Sequence, residues 1–246
     1  MTQQRHLSNP PISEAVIDFV FSLAVTEEQV RGIGKAFRSS KSKDEAVLSE
    51  FGHVSTTVNI GSGETHRDDR RFEGVRVSCN DGRLIVQFRA DRVTVSHVGH
   101  YTDWDDLSGD AIAAASYFQA VAKCLVKKVG TRYINVLSLS RPVGELLVGL
   151  PQSVREDWAL SDYWDRRVYK DSVGHAISMT FATIAQQPLN QAGPESKVLL
   201  FDIDVTKDVE FECGGARMDR TLQELRAVKN AAFFGSLEDT ALEQYR

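Results

Sequence analysis

The chain has 246 residues, 42% of them hydrophobic and 26% charged, which is enough apolar material to bury a sizeable core. Its net charge of −5 argues against broad binding to nucleic acid or membranes, which usually needs a basic surface. No apolar run approaches the ~20 residues that span a bilayer, and the polar start lacks the core of a signal peptide. The three cysteines form no Cys-x-x-Cys pair, so neither a disulfide framework nor a zinc site is expected. We therefore expect a cytoplasmic protein.

The first half of the chain, residues 1–128, predicts one α+β unit. Residues 12–23 alternate between apolar and polar side chains, as in a strand with one face in the core. Thr26 is well placed to cap a short helix that follows this strand. From residue 39 to residue 71 the pattern weakens, and we expect a loop-rich insertion with a short strand near residues 56–60.

Three short strands and a long helix are predicted after this insertion. Asn80-Asp81-Gly82 indicates a tight turn between the first two strands, because Asp-Gly suits the positive φ angles of hairpin turns. A helix is expected from about Asp110 to Lys127, since apolar residues recur along one stripe of that segment.

The second half, residues 129–246, passes through a similar order of elements. An apolar strand from Thr131 to Leu139 opens it, a short helix near Val143 to Leu147 follows, and three strands lead to a helix from about Asp219 to Ala232. We predict a single compact unit of class α+β built from two pseudo-repeated β-α-β-β-β-α halves. The expected architecture is a largely antiparallel, curved sheet with the long helices packed on one face, as in saddle-shaped or helix-grip folds.

Four short motifs resemble a sporadically distributed prokaryotic family that is defined by sequence and has no assigned function. Its Asn-x-Pro-Ile-x-Glu-Ala start is similar to Asn9-Pro10-Pro11-Ile12-Ser13-Glu14-Ala15, and its central motif to Arg132-Tyr133-Ile134-Asn135. A Tyr-x-x-Trp element corresponds to Tyr101 and Trp104, and a late Leu-Asp-Ile-Asp-like strand to Leu200-Phe201-Asp202-Ile203-Asp204.

Two positions depart from the pattern of that family. Arg226 stands where a histidine usually follows the leucine of the last long helix, and Val136 stands where the central motif often continues with arginine. The resemblance implies similar fold boundaries and a cytoplasmic location, but it supplies no activity. The sporadic occurrence of the family suits an accessory system, such as defence or toxin neutralisation.

Polar residues on the non-core faces of the predicted strands form the candidate binding surface. Strand periodicity places two carboxylates of the first strand on one such face and two of the last strand on another. If the two halves pair, the four carboxylates share a surface, with an arginine and an asparagine near it. The candidate residues are Glu14, Asp18, Arg132, Asn135, Asp202 and Asp204. Two interpretations stay open: solvent-facing strand residues with Arg132 as a structural ion-pair partner, or a functional cluster.

The signatures of common enzyme classes are missing from the sequence. There is no Walker-type loop, no Gly-x-Gly-x-x-Gly after a strand, no Gly-x-Ser-x-Gly elbow and no His-Glu-x-x-His helix. The leading hypothesis is a non-enzymatic protein that binds a protein or a small ligand, with the sheet face and residues 39–71 as the contact surface. We assign no catalytic residue and expect no cofactor.

The alternative hypothesis is a metal-dependent hydrolase acting on a phosphoester. Clustered carboxylates can hold Mg²⁺ or Mn²⁺, which prefer oxygen ligands and often act with a phosphate substrate. Under this hypothesis the metal ligands are Glu14, Asp18, Asp202 and Asp204.

Overall fold

The computed structural model of the protein describes residues 7–41, 46–58, 66–99, 101–139, 142–149, 162–186 and 196–246. The strands found there are β1 (Ile12–Phe21), β2 (Ala46–Val58), β3 (His66–Cys79), β4 (Leu84–Arg89), β5 (Arg92–Val98), β6 (Val126–Ser138), β7 (Trp164–Lys170), β8 (His175–Gln186) and β9 (Ser196–Phe211). The helices of the same residues are α1 (Glu27–Ser39), α2 (Trp104–Ala122), α3 (Ala216–Ser236) and α4 (Asp239–Leu242).

The strands form one antiparallel sheet in the order β2-β3-β4-β5-β1-β6-β9-β8-β7. Strands β1 and β6, which open the two halves of the chain, pair with each other at its centre. The predicted class α+β and the largely antiparallel sheet are therefore confirmed. None of the helices in the described residues is long and apolar enough to cross a membrane.

Burial alternates strictly along β1, where every second residue from Ala15 to Phe21 is buried. On this covered face, the ring of Phe21 stacks on Phe118 of α2 with the ring centroids 4.2 Å apart. Phe201 of β9, on the same face, stacks on Phe233 of α3 at 5.9 Å. The long helices α2 and α3 thus cover the same side of the sheet, because each must bury its apolar stripe against apolar strand residues.

The local signals for α1 and for the first hairpin turn are confirmed. The Thr26 side chain accepts a hydrogen bond from the Gln29 backbone amide at 3.2 Å, and the Gln29 side chain accepts one from the Thr26 amide at 2.9 Å. This reciprocal capping box satisfies two backbone donors at the start of α1. In the turn, Asn80, Asp81 and Gly82 have φ angles of 52°, 55° and 84°.

The loop-rich insertion expected at residues 39–71 is wrong. The segment is largely a long hairpin, in which β2 and β3 pair from Ala46 opposite Cys79 to Val58 opposite His66. Residues 42–45 and 59–65 lie outside the described residues. Backbone hydrogen bonds can form a hairpin from side chains of any type. The strands were not predicted because this polar segment lacks the alternation of apolar and polar residues that indicates a strand.

Helix α2 begins six residues before its predicted start at Asp110 and ends at Ala122. The Asp103 side chain accepts a hydrogen bond from the Asp106 amide at 2.8 Å, so Asp103 is the true N-cap. Lys123 ends the helix in the left-handed conformation with φ 47°. Strand β6 therefore begins at Val126, five residues before the predicted strand.

The short helix predicted near Val143 to Leu147 is a single 3₁₀ turn, Val143–Glu145. The first half has four strands after α1, and the second half has three described strands after this turn. The expected order of strand, helix, three strands and long helix is therefore correct only in outline.

The packing of α1 on β3 provides a matched test of this fold. A Cβ on Gly34 would collide with Val75 Cγ2 and lie 3.3 Å from Leu48 Cδ1, whereas a Cβ on Gly32 would meet nothing within 4 Å. We expect Gly34→Ala to lower the free energy of unfolding by about 1–3 kcal/mol, because it overpacks the interface. Gly32→Ala should raise it by about 0.5–1 kcal/mol, through helix propensity. Chemical denaturation of both variants measures these changes, and an equal effect of the two would contradict the described packing.

Candidate functional site

Arg132 lies at the centre of the sheet face opposite α2 and α3, which no helix of the described residues covers and which we call the uncovered face. Its Nε and Nη2 donate to the two carboxylate oxygens of Asp202 at 2.9 and 2.8 Å, which is a bidentate ion pair across β6 and β9. Asp204 is directly opposite Arg132 on β9, and Glu14 adds to the negative field at the guanidinium. The Arg132 side chain is 50% exposed, so this pair contributes little to stability.

Asp18 extends the same surface toward β5. Its Oδ1 accepts a hydrogen bond from Thr94 Oγ1 at 2.6 Å, and Arg92 Nε lies 3.7 Å from Oδ2. Burial raises the pKa of Asp18, and the Thr94 hydrogen bond and Arg92 oppose the rise. Burial also raises the pKa of Asp204, with Arg132 opposing it. Five of the six predicted surface residues thus share one face.

Asn135 is the exception, and its predicted place on that surface is wrong. It is 2% exposed and belongs to the covered face, where its Nδ2 donates to the backbone oxygen of Phe201 at 3.0 Å. The reason is strand parity, because residues 132 and 135 are separated by an odd number and point to opposite faces.

The predicted metal ligands Glu14, Asp18, Asp202 and Asp204 do not come together as a group of three or more. No set of three or more His, Cys, Asp and Glu side chains within the described residues is close enough to hold a metal ion. Asp202 is engaged by Arg132, and Asp18 by Thr94. The arrangement is that of an ion-paired strand surface.

A cleft of about 540 Å³ lies on the covered side of the sheet. The N-terminal segment, the loop before α2, one residue of β6 and the C-terminal part of α3 form its walls. The lining residues are Leu7, Ser8, Asn9, Pro10, Pro11, Ile12, Gly99, Tyr101, Thr102, Asp103, Trp104, Asn135, Arg226, Lys229, Asn230, Phe233 and Phe234. Three of the four motifs discussed above, together with the departing position Arg226, therefore contribute to one concave site.

Backbone hydrogen bonds position the N-terminal wall of this cleft. The Asn9 amide donates to the Tyr245 carbonyl at 3.1 Å, and the Val136 amide donates to the Pro11 carbonyl at 2.8 Å. The prolines restrict φ in this segment and favour an extended backbone in the residue before each of them. The segment therefore enters the sheet along a defined path beside the end of α3.

Arg226 and Lys229 place two cationic groups on the cleft, one helical turn apart on α3. The Arg226 guanidinium carbon lies 5.5 Å from the centroid of the Trp104 ring, and Lys229 Nζ lies 3.8 Å from that of Tyr133. Burial, together with the charge of Arg226, lowers the pKa of Lys229 to about 7. Neither cation has an ion-pair partner or a side-chain hydrogen bond within the part of the chain that the structure describes.

A pair of phenols meets beneath these cations. Tyr133 Oη donates to Tyr101 Oη at 3.2 Å, and the two rings meet edge to face with centroids 5.6 Å apart. Burial raises the pKa of both tyrosines, so both phenols stay neutral at physiological pH. Trp104 is 2% exposed, and its Nε1 has no acceptor among the described residues.

Sequence reasoning missed the role of Arg226 and Lys229. Lys229 is spaced along its helix with Leu222 and Leu225, which are buried in the stripe that packs on the sheet. A lysine at such a position is itself a signal, because lysine is almost never fully buried without a partner. Arg226 had been noted only as a departure from a family pattern.

Comparison of the chain with protein-family models and with curated proteins gives no match. The family resemblance therefore stays a prediction, and the function has to be argued from the geometry of the cleft and of the uncovered face.

A simple thermal measurement tests the metal hypothesis, which the geometry of the carboxylates does not favour. Millimolar MgCl₂ or MnCl₂ should leave the melting temperature unchanged, because a ligand stabilises a protein only if it binds the native state. Differential scanning calorimetry of the wild type and Asp202→Ala measures this. A metal-dependent rise in the wild type that disappears in Asp202→Ala would instead support the hydrolase hypothesis.

Lys229 should have a measurable effect on stability. The unfolded chain keeps its lysine protonated up to about pH 10.4, whereas the native state releases that proton near pH 7. The contribution of Lys229 to stability therefore rises as pH increases between these two values. Below that window the buried charge is a penalty, and Lys229→Met should raise the free energy of unfolding at about pH 6 by roughly 2 kcal/mol or more.

Urea denaturation as a function of pH tests this prediction. The groups facing Lys229 are Arg226 on its own helix and the phenols Tyr133 and Tyr101, both neutral throughout the lower part of the window. Lys127→Met, at an exposed lysine of β6, is the matched control and should show neither the stabilisation nor the change of slope. Identical pH profiles for the wild type and Lys229→Met would exclude a depressed pKa for Lys229.

Proposed function

We propose that the protein is a non-enzymatic binding protein whose ligand site is the cleft between the end of α3 and the N-terminal segment. The observation that carries the proposal is that two cations without partners among the described residues, the Tyr101 phenol and the buried Asn135 amide line one concave site. Ligand sites are usually clefts with aromatic walls and a few convergent polar groups.

A small ligand fits this site better than a protein partner does. The cleft volume of about 540 Å³ lies within the range of roughly 300–1,000 Å³ that is typical of small-molecule sites. The uncovered face, by contrast, is an ion-paired strand surface in which Arg132 already holds Asp202. The charged groups of such a surface are already paired within the chain, so few of them are available to a protein partner.

Binding rather than catalysis is proposed because the cleft lacks an activated nucleophile. Both phenols are neutral, and no histidine or cysteine is among its described lining residues. Lys229 lines the cleft with a pKa of about 7, and no carboxylate of the described residues forms an ion pair with it that would supply an acid or base partner.

At the level of the fold, we also propose that the halves are pseudo-repeats that form a saddle-like, helix-grip arrangement. The sheet order supports this: outward from the centre it is β1-β5-β4-β3-β2 in one half and β6-β9-β8-β7 in the other, and each series is followed by a long helix. Membership of the sporadic prokaryotic family remains a proposal on its four motifs. A crystal structure in which the two series do not superpose would contradict the duplication.

A small-molecule screen tests the ligand site. We expect at least one class of metabolite to raise the melting temperature, since a ligand at 100 times its dissociation constant stabilises by about 2.7 kcal/mol. Asn230→Trp should abolish that rise, because residue 230 lines the cleft and an indole there would fill it.

The matched control is Ala231→Trp, which places the same side chain on the exposed side of the same helical turn. It should bind as the wild type does. The proposal is wrong if no compound binds the wild type, or if Asn230→Trp binds a hit with unchanged affinity while remaining folded by circular dichroism.

A further inference from the structure

The ligand class can be narrowed, on the assumption that the cleft is the ligand site proposed above. We propose that the ligand is an organic anion whose carboxylate or phosphate group lies between Arg226 and Lys229, and whose apolar body lies against Phe234 and the prolines of the N-terminal segment. Both end groups present the oxyanion chemistry that a guanidinium and an ammonium recognise.

The first argument is the charge of the cleft wall. Arg226 and Lys229 face the cleft and form no ion pair with any carboxylate of the described residues. Cations in a partly dry site are costly unless they are paired, so an anion entering the cleft gains two favourable contacts there.

The second argument concerns Asp103, the carboxylate that does line the cleft. Its Oδ1 accepts a hydrogen bond from the Asp106 amide at 2.8 Å and so caps α2. A carboxylate held by a helix N-terminus is already stabilised by the backbone N–H groups and by the helix dipole. The two cations therefore remain available to a ligand.

The third argument is the supply of neutral donors beside the cations. The Trp104 indole N–H is buried without an acceptor among the described residues, and Tyr101 carries a neutral phenol on the same wall. Trp104 and Tyr101 both line the cleft, and an indole N–H and a phenol both donate to oxygen. A ligand rich in acceptor oxygens matches them, whereas a cationic ligand would face two positive charges.

The remaining walls are apolar and account for the body of the ligand. Pro10 and Pro11 line one side, and Phe233 and Phe234 line the end of α3. A bare inorganic ion would leave this apolar area in water, so an organic acid matches the cleft better.

Three probes that share a phenyl ring test the inference: benzoate, phenyl phosphate and the neutral benzamide. Isothermal titration calorimetry on the full chain at about pH 6, where Lys229 is protonated, should detect benzoate or phenyl phosphate. Benzamide should bind at least about tenfold more weakly than the tighter acid. The two acids distinguish the two kinds of anionic group: a site for phosphate esters prefers phenyl phosphate, and a site for carboxylates prefers benzoate.

Charge-neutral variants identify the groups involved. Arg226→Gln should weaken binding of the tighter acid at least about tenfold and leave benzamide unaffected. Arg220→Gln removes an exposed arginine of the same helix and should change neither affinity. Melting temperatures close to that of the wild type would show that both variants are folded.

The inference and the proposed function fail in different ways. Equal affinity for benzamide and the acids, or undiminished acid binding in Arg226→Gln, would overturn the anion inference but leave the cleft as a ligand site. Absence of binding by both acids would also overturn it. The wider screen with Asn230→Trp then decides separately whether the cleft binds any compound.

Discussion

The pairing of β1 with β6 is the constraint on which the rest of the molecule depends. It joins two groups of strands, β2 to β5 on one side and β7 to β9 on the other, into one sheet. Its register sets Val16 opposite Arg132, and Thr131 Oγ1 donates to the Val16 carbonyl at 3.1 Å. A slip of one residue would move every side chain of one strand to the other face. Both the ion-paired surface and the cleft would then be lost.

The two faces of this sheet differ in whether their charged side chains form ion pairs. On the uncovered face, Arg132 and Asp202 form a bidentate ion pair. Because the Arg132 side chain is half exposed, the pair costs little free energy of desolvation. On the covered face, Arg226 and Lys229 have aromatic neighbours and no ion-pair partner among the described residues. Aromatic rings compensate a cation only in part. A buried cation such as Lys229 lowers the stability of the fold, so its presence is better explained by a role in binding than by a structural role.

The sequence predicted the fold class and much of the uncovered face for a clear physical reason. Alternation is strong where one face of a strand is buried, so Glu14 and Asp18 were placed correctly beside the buried Ala15 and Ile17. The same rule, applied to Asn135, would have excluded it from that face. The β2–β3 hairpin was missed because its polar sequence carries no such alternation.

The cleft could not be predicted because it is made by tertiary packing. No periodicity in one segment indicates that residues near 9, 101 and 229 will meet, and Lys229 has the helical spacing of the buried Leu222 and Leu225. The N-cap Asp103 was also overlooked, which moved the predicted start of α2 away from the very loop that lines the site. The periodicity of a sequence predicts which side of a helix or strand is buried. Which other element packs against that side depends on the topology of the whole fold.

The hydrogen bond from the Asn9 amide to the Tyr245 carbonyl has a consequence for the timing of biosynthesis. One wall of the cleft precedes β1 in the chain, and the group that anchors it is translated after α3 and after all the described strands. Tyr245 also holds β6, since its Oη accepts a hydrogen bond from the Ser138 amide at 3.1 Å. The hydrogen bonds of Tyr245 with the Asn9 amide and with β6 can therefore form only after residue 245 has been translated.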